Sequence, residues 1–110
     1  MQQIGHVWRA KPGKIDEYRR VHAVVWPEVE EALKSAGVTK YITFVFGDYL
    51  FSYMEVEDYE AMVEQYNVDP AALKWEKEQV GDLIELIEAD PATGWPIVLP
   101  KVWAMGDGHE

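Results

Sequence analysis

Tyr18 and His22 stand four residues apart on the apolar stripe of a helical segment. At i,i+4 spacing the two side chains project from one helix face. Ile15, Trp26, Val29 and Leu33 continue that stripe, so the pair is turned toward the interior rather than toward open water. An imidazole and a phenol sheltered in this way suit proton transfer near neutral pH. The plainer alternative is a core histidine held by one hydrogen bond. Tyr18 and the proline just after the pair weigh toward chemistry, because burial and a partner group are what tune a catalytic histidine. His6, beside Trp8 on a strand, has no comparable neighbour in sequence and reads as structural. His109 lies in the tail. No histidine pair has metal-ligand spacing and no acidic cluster resembles a calcium loop. The sequence also holds no glycine-rich phosphate loop and no nucleophile elbow. No metal site is expected.

Aromatic residues give the second signal: five tryptophans and six tyrosines in 110 residues. Most large aromatics belong to a core, and Trp26 and Phe44 are assigned there. Trp75 is different, since it lies in the charged run Leu73-Lys74-Trp75-Glu76-Lys77-Glu78. An indole flanked by charge either half-covers the core or walls a cleft, where it can take the flat face of a sugar. Tyr41 opens the second strand; it either presents its hydroxyl to a cleft or is an ordinary strand tyrosine. The acidic runs Glu28-Val29-Glu30-Glu31 and Glu85 to Glu88 read as solvated helix faces.

The elements that must position these residues follow from periodicity. Residues 3–10 alternate as a strand, with Ile4, His6 and Trp8 on one side. Lys11-Pro12-Gly13 is a turn. A helical pattern covers 14–36 and stops at Gly37. Pro27 lacks an amide hydrogen and clashes one turn back, so it kinks the helix near Trp26 or opens a second one. Residues 39–46 and 49–56 form a hairpin about Gly47-Asp48. A short helix spans 58–65. Asp69-Pro70 is an N-cap with proline at N1, opening a helix that runs to about Ala89. Residues 90–94 form a loop and 101–105 a short last strand. Residues 1–105 are expected to form one domain, with 106–110 as a frayed tail.

The order β-α-β-β-α-β is the ferredoxin-like α+β arrangement, an antiparallel sheet with helices on one face. Here both faces are apolar. Tyr41, Thr43 and Val45 oppose Ile42, Phe44 and Phe46 on the second strand; Leu50, Met54 and Val56 oppose Phe51 and Tyr53 on the third. A sheet apolar on both sides needs a second cover. A second copy gives a two-fold dimer; the alternative is a wrap by the 90–100 loop.

Composition bounds the function. With 48% hydrophobic residues the chain can build a core. A formal charge of −10 argues against nucleic acid and against anionic lipid, leaving a small neutral partner. There is no cysteine, no apolar run of membrane-spanning length and no signal pattern, and the cytoplasm is the expected compartment.

The run Tyr18-Arg-Arg-Val-His22-Ala-Val-Val-Trp26-Pro27-Glu28-Val-Glu30 resembles the first-helix signature of the L-rhamnose mutarotase family, Y-x-x-x-H-x-x-[IV]-W-P-E-[LV]. The similarity continues through Leu33 to Gly37, the strand from Tyr41, and Leu50-Phe51 to Glu57, then fades along the second long helix. The resemblance implies a cytoplasmic homodimer of ferredoxin-like subunits, a dimeric α+β barrel, with no metal or organic cofactor. Its implied activity is an isomerase's: interconversion of the α and β anomers of a 6-deoxyhexopyranose, L-rhamnose first and L-fucose close behind. It further implies His22 as proton donor and Tyr18, Tyr41 and Trp75 as sugar-contacting residues. Where the family carries tandem tryptophans this chain has Lys74-Trp75, so Lys74 either hydrogen-bonds a sugar hydroxyl in the pocket or points to solvent, as lysines usually do. The chemistry suits the residues: opening and reclosing a hemiacetal needs only protons moved between the ring oxygen and the anomeric hydroxyl. Two rival readings use the same cleft: a dimeric α+β barrel monooxygenase, and a non-catalytic small-ligand binding module.

Overall fold

Alternation along the strands decides the layers. The computed structural model describes residues 1–106. Strand β1 (Gln2–Ala10) is followed by helices α1 (Ile15–Val21) and α2 (Pro27–Ser35), then by the hairpin β2 (Val38–Phe46) and β3 (Tyr49–Val56). Helices α3 (Tyr59–Tyr66) and α4 (Pro70–Trp75) come next, then a π-helical turn over Glu76–Val80 and a two-residue strand β4 (Ile84–Glu85). The sheet order is β2-β3-β1-β4 with every neighbour antiparallel, the ferredoxin-like topology.

The register pairs Ile4 with Met54, His6 with Ser52 and Trp8 with Leu50, while β2 sets Tyr41 against Met54 and Thr43 against Ser52. These residues share the inner face. On it Ile4, Val38, Met54 and Val56 pack with Met62 and Val63 of α3. Tyr18 packs with Leu50 and Leu83, and Val29 with Trp75 and Val80. The helices are therefore held on one face by their apolar stripes, as small helices must be. Local signals agree with this placement. The Asp58 carboxylate caps α3 through the Ala61 amide, and Asp69 caps α4 by accepting from the amides of Ala71 and Ala72. Pro27 opens α2 at its first turn, so the segment expected to kink is two helices joined through His22–Trp26.

Four expectations need correction. The helix opened by Pro70 does not reach Ala89. It ends at Trp75, widens into the π-turn, and closes through the Gly81 amide on the Glu76 carbonyl at 2.7 Å. Glu85 consequently sits on β4, ion-paired with Arg9, and not on a solvated helix face. The last strand is Ile84–Glu85, lying against Arg9 and Ala10, rather than 101–105. The C-terminal segment does reach the same edge of β1: the Leu99 amide donates to the Gly5 carbonyl at 2.8 Å and Lys101 Nζ donates to Gln3 Oε1 at 3.0 Å. Residues 101–105 themselves adopt no regular secondary structure. Phe44, expected in the core, lies on the outer sheet face and is 61% exposed, because it pairs with Phe51 on the side that carries no helix. The expected tail at 106–110, with His109, falls outside the described residues after Gly106.

Candidate functional site

A cavity of about 610 Å³ opens between the inner sheet face and α1, α2 and α4. That volume is within the range of small-molecule sites, about 300–1,000 Å³. Trp8, Tyr18, His22, Tyr41, Tyr66, Trp75, Glu76 and Trp95 all contribute to its wall.

His22 is fixed by the end of its own helix. As the residue closing α1, it places Nδ1 2.9 Å from the Tyr18 carbonyl oxygen. A carbonyl only accepts, so Nδ1 carries the proton, and in the neutral ring Nε2 keeps the lone pair. The imidazole stacks on the Tyr18 ring at 4.0 Å between centroids and 20° between planes. Trp75 meets it edge-on at 5.6 Å, and Trp26 meets Trp75 edge-on at 5.1 Å. Burial lowers the His22 pKa, opposed in part by the hydrogen bond to the Tyr18 backbone. The ring is therefore mainly neutral in neutral solution, ready to accept a proton at Nε2.

The phenols are raised in the opposite sense. Burial pushes Tyr18 up to about 12, with a further push from the Glu76 charge. Tyr66 is also raised to about 12 by burial, then by Glu76 and Asp69. Tyr41 is raised chiefly by burial as well. All three stay protonated through neutral pH and serve as hydrogen-bonding hydroxyls, not bases. Glu76 itself has its pKa raised by burial. The residue as a whole is nonetheless exposed, so the shift is a modest one in a group that borders both cavity and solvent.

The structure brings together Tyr18, His22, Tyr41 and Trp75 on one cavity wall. Lys74 is not among the lining residues. Its side chain is 65% exposed, with Nζ 3.9 Å from Glu78 and 5.6 Å from the Trp26 ring centroid, so it covers the outer side of the tryptophan pair. His6 lies behind the wall. It is 1% exposed, with Nε2 2.8 Å from the Tyr59 hydroxyl, inside a cage of Trp8, Tyr59 and Trp95. Burial lowers its pKa to about 4.

Sequence reasoning missed Tyr66, Trp95 and Glu76. Tyr66 could have been found from its place at the end of a short helix after an Asp58 cap. Glu76 could not: a helical period carried through 70–89 gives no warning of the π-turn that sets its direction. Among the described residues no group of three or more histidine, aspartate or glutamate side chains is placed to hold a metal ion.

A family model described as L-rhamnose mutarotase matches residues 3–105. An L-rhamnose mutarotase of Listeria monocytogenes is 35% identical over 79 residues, covering 70% of this chain and 75% of the relative. One of Clostridium beijerinckii is 42% identical over 65 residues, covering 57% and 62%. Among solved structures, an L-rhamnose mutarotase from Formosa agariphila aligns at a TM-score of 0.75 and 21% identity, over 96% of this chain and 100% of that one. At that identity the likeness speaks for the fold alone. The family match spans nearly the whole chain, and it includes the helix that carries Tyr18 and His22: the chain belongs to the L-rhamnose mutarotase family of isomerases.

Proposed function

We propose that this protein interconverts the α and β anomers of L-rhamnose, with His22 moving the proton and no cofactor taking part. The observation that carries the reading is the half-tied imidazole: Nδ1 is held on the Tyr18 carbonyl, leaving Nε2 as the free ring nitrogen of a residue on the cavity wall. A neutral imidazole in that state accepts the anomeric hydroxyl proton. As the imidazolium it returns a proton when the ring recloses. Positioned proton transfer of this kind accelerates a reaction by about 10²–10⁴-fold. That suffices for a hemiacetal that already opens in water.

The remaining roles follow from the wall. Trp75 packs against the apolar part of the pyranose, while the hydroxyls of Tyr18 and Tyr41 contact its oxygens. Trp8 adds an indole N–H with no hydrogen-bond partner among the described residues. Lys74 stays outside this assignment because its ammonium lies on the outer surface. A 6-methyl group suits the apolar aromatic wall, which favours 6-deoxyhexoses and keeps L-fucose as the second candidate substrate.

Exchange NMR on equilibrated L-rhamnose tests this. Wild type should accelerate anomer exchange, and His22→Ala should lose about 10²-fold or more of that acceleration while remaining folded. Wild-type exchange in His22→Ala would make His22 structural. Faster exchange of L-fucose than of L-rhamnose would reverse the order of substrates.

A second copy of the chain is part of the same proposal. Ile42, Phe44, Phe46, Tyr49 and Phe51 form an apolar outer sheet face, each at least 40% exposed. Such a contiguous face marks an interaction surface. Sedimentation should give a dimer at micromolar concentration, converted to monomer by Phe44→Glu; a wild-type monomer refutes the pairing. A cytoplasmic setting also belongs to the proposal; no helix among the described residues is long and apolar enough to cross a membrane.

A further inference from the structure

Mutarotation needs two proton movements at two oxygens, and His22 has one free nitrogen. The second movement calls for another titratable group on the cavity wall. The phenols stay protonated, as shown above. Lys34 and Lys40 also line the wall, and Lys40 is ion-paired with Glu55 at 3.9 Å. Two carboxylates remain, Glu30 on α2 and Glu76 on the π-turn.

Their surroundings differ. The charge of Glu76 acts on both Tyr18 and Tyr66, the phenols from α1 and α3 that flank that part of the wall, whereas Glu30 is not among the charges acting on either. Tyr18 in turn carries His22 stacked on its ring. Glu76 thus lies within electrostatic reach of the phenol on which His22 is stacked. The Glu76 side chain has no hydrogen bond or ion pair among the described residues. Its backbone position is set by the closure of the π-turn, where the Gly81 amide meets the Glu76 carbonyl at 2.7 Å. A Cβ at residue 81 would lie 2.7 Å from that carbonyl oxygen, closer than side chains come to backbone, so Gly81 permits the turn that turns Glu76 to the cavity.

We propose that Glu76 is the second proton-transfer group of the mutarotase reaction, working with His22 across the bound sugar. The inference rests on the mutarotase reading. In ring opening, His22 Nε2 takes the proton of the anomeric hydroxyl, the O–H electrons form the C1 carbonyl, the bond from C1 to the ring oxygen breaks, and that oxygen takes the proton of the Glu76 carboxyl. Rotation about the C1–C2 bond turns the other aldehyde face inward. In reclosure the hydroxyl on the former ring oxygen attacks C1, its proton returns to Glu76, and His22 gives its proton to the carbonyl oxygen. Nothing is oxidised and both groups end as they began. The pair must hold one proton between its two sites. Burial lowers the affinity of His22 for that proton and raises that of Glu76, which brings the two closer together. The charged or titratable groups that share the wall with Glu76 are Tyr18, His22, Tyr41, Tyr66, Glu30, Lys34 and Lys40, and its charge acts on Tyr18 and Tyr66.

The test is L-rhamnose anomer exchange across pH for wild type, Glu76→Gln and Glu76→Asp. Glu76→Gln should lower kcat by about 10²-fold or more with KM nearly unchanged, and should remove one limb of the wild-type pH profile. Glu76→Asp should recover part of the rate and the limb. A glutamine variant with the wild-type kcat overturns the proposal, as does one that raises KM alone, which would make Glu76 a binding group. A wild-type profile with a single ionisation, the one lost in His22→Asn, overturns it however the Glu76 variants fold. Exchange absent from wild type would refute the mutarotase reading itself; exchange present and unchanged in Glu76→Gln refutes this inference alone.

Discussion

His6 and His22 are both enclosed by aromatic rings, and burial lowers the proton affinity of both. They differ in what is left over. His6 lies wholly inside, with Nε2 against the Tyr59 hydroxyl and Nδ1 without a hydrogen-bond partner among the described residues, behind the cavity wall. His22 is half-buried on the wall, with Nδ1 tied to its own helix and Nε2 without a hydrogen bond among the described residues. Burial alone therefore does not distinguish a working histidine from a structural one. Access to a cavity by a nitrogen in a fixed tautomer does.

The comparison can be broken most forcefully at His6. Replacing it with alanine removes a filled volume under the sheet and strands the Tyr59 hydroxyl, so His6→Ala should cost about 2–4 kcal/mol in urea unfolding. Its exchange rate per folded molecule should stay near wild type. A stable His6→Ala with lost exchange would invert the two roles.

A pH titration of stability sharpens the contrast. His6 binds its proton at about 4 when folded, against 6.5 for the free side chain. Between those values the unfolded chain holds the extra proton. Stability is thus complete above pH 6.5 and falls as pH drops toward 4, by up to about 3 kcal/mol from this group. Removing the ionisation in His6→Asn should flatten that part of the curve. An unchanged slope would mean that His6 charges freely inside the fold.

Gly81→Ala is a smaller perturbation on the His22 side. The added methyl meets the Glu76 carbonyl, and opening the π-turn to accept it should cost about 1–3 kcal/mol. Anomer exchange should fall through displaced Trp75 and Glu76, with His22 untouched. A variant as stable and active as wild type would show that the π-turn does not shape the wall.

Much of this was legible in the sequence because it depends on local spacing. The i,i+4 spacing of Tyr18 and His22 puts them in one stack, Pro27 divides the helical run, Asp69 caps α4, and strict alternation sorts β2 and β3 into two faces. The same alternation put Phe44 on one face with Ile42 and Phe46, but which of the two faces carries the helices is set by packing and not by the alternation itself. What stayed hidden depends on contacts distant in sequence. The helix after Pro70 stops where a backbone closure around Gly81 outweighs continued periodicity. The fourth strand is whichever segment meets the free edge of β1 at Arg9 and Ala10, and Ile84–Glu85 arrives there first. Glu76 reads as one more charge in a polar run until the π-turn gives it a direction.

The central claim is that His22, and not His6, moves the proton. It is tested most directly by exchange NMR on L-rhamnose with wild type, His22→Asn and His6→Asn side by side, under conditions where all three are folded. Asparagine keeps a hydrogen-bonding group at each site but cannot titrate. The account predicts that His22→Asn loses about 10²-fold or more of the catalysed exchange and that His6→Asn keeps it. Undiminished exchange in His22→Asn, or an equal loss in both, would contradict it.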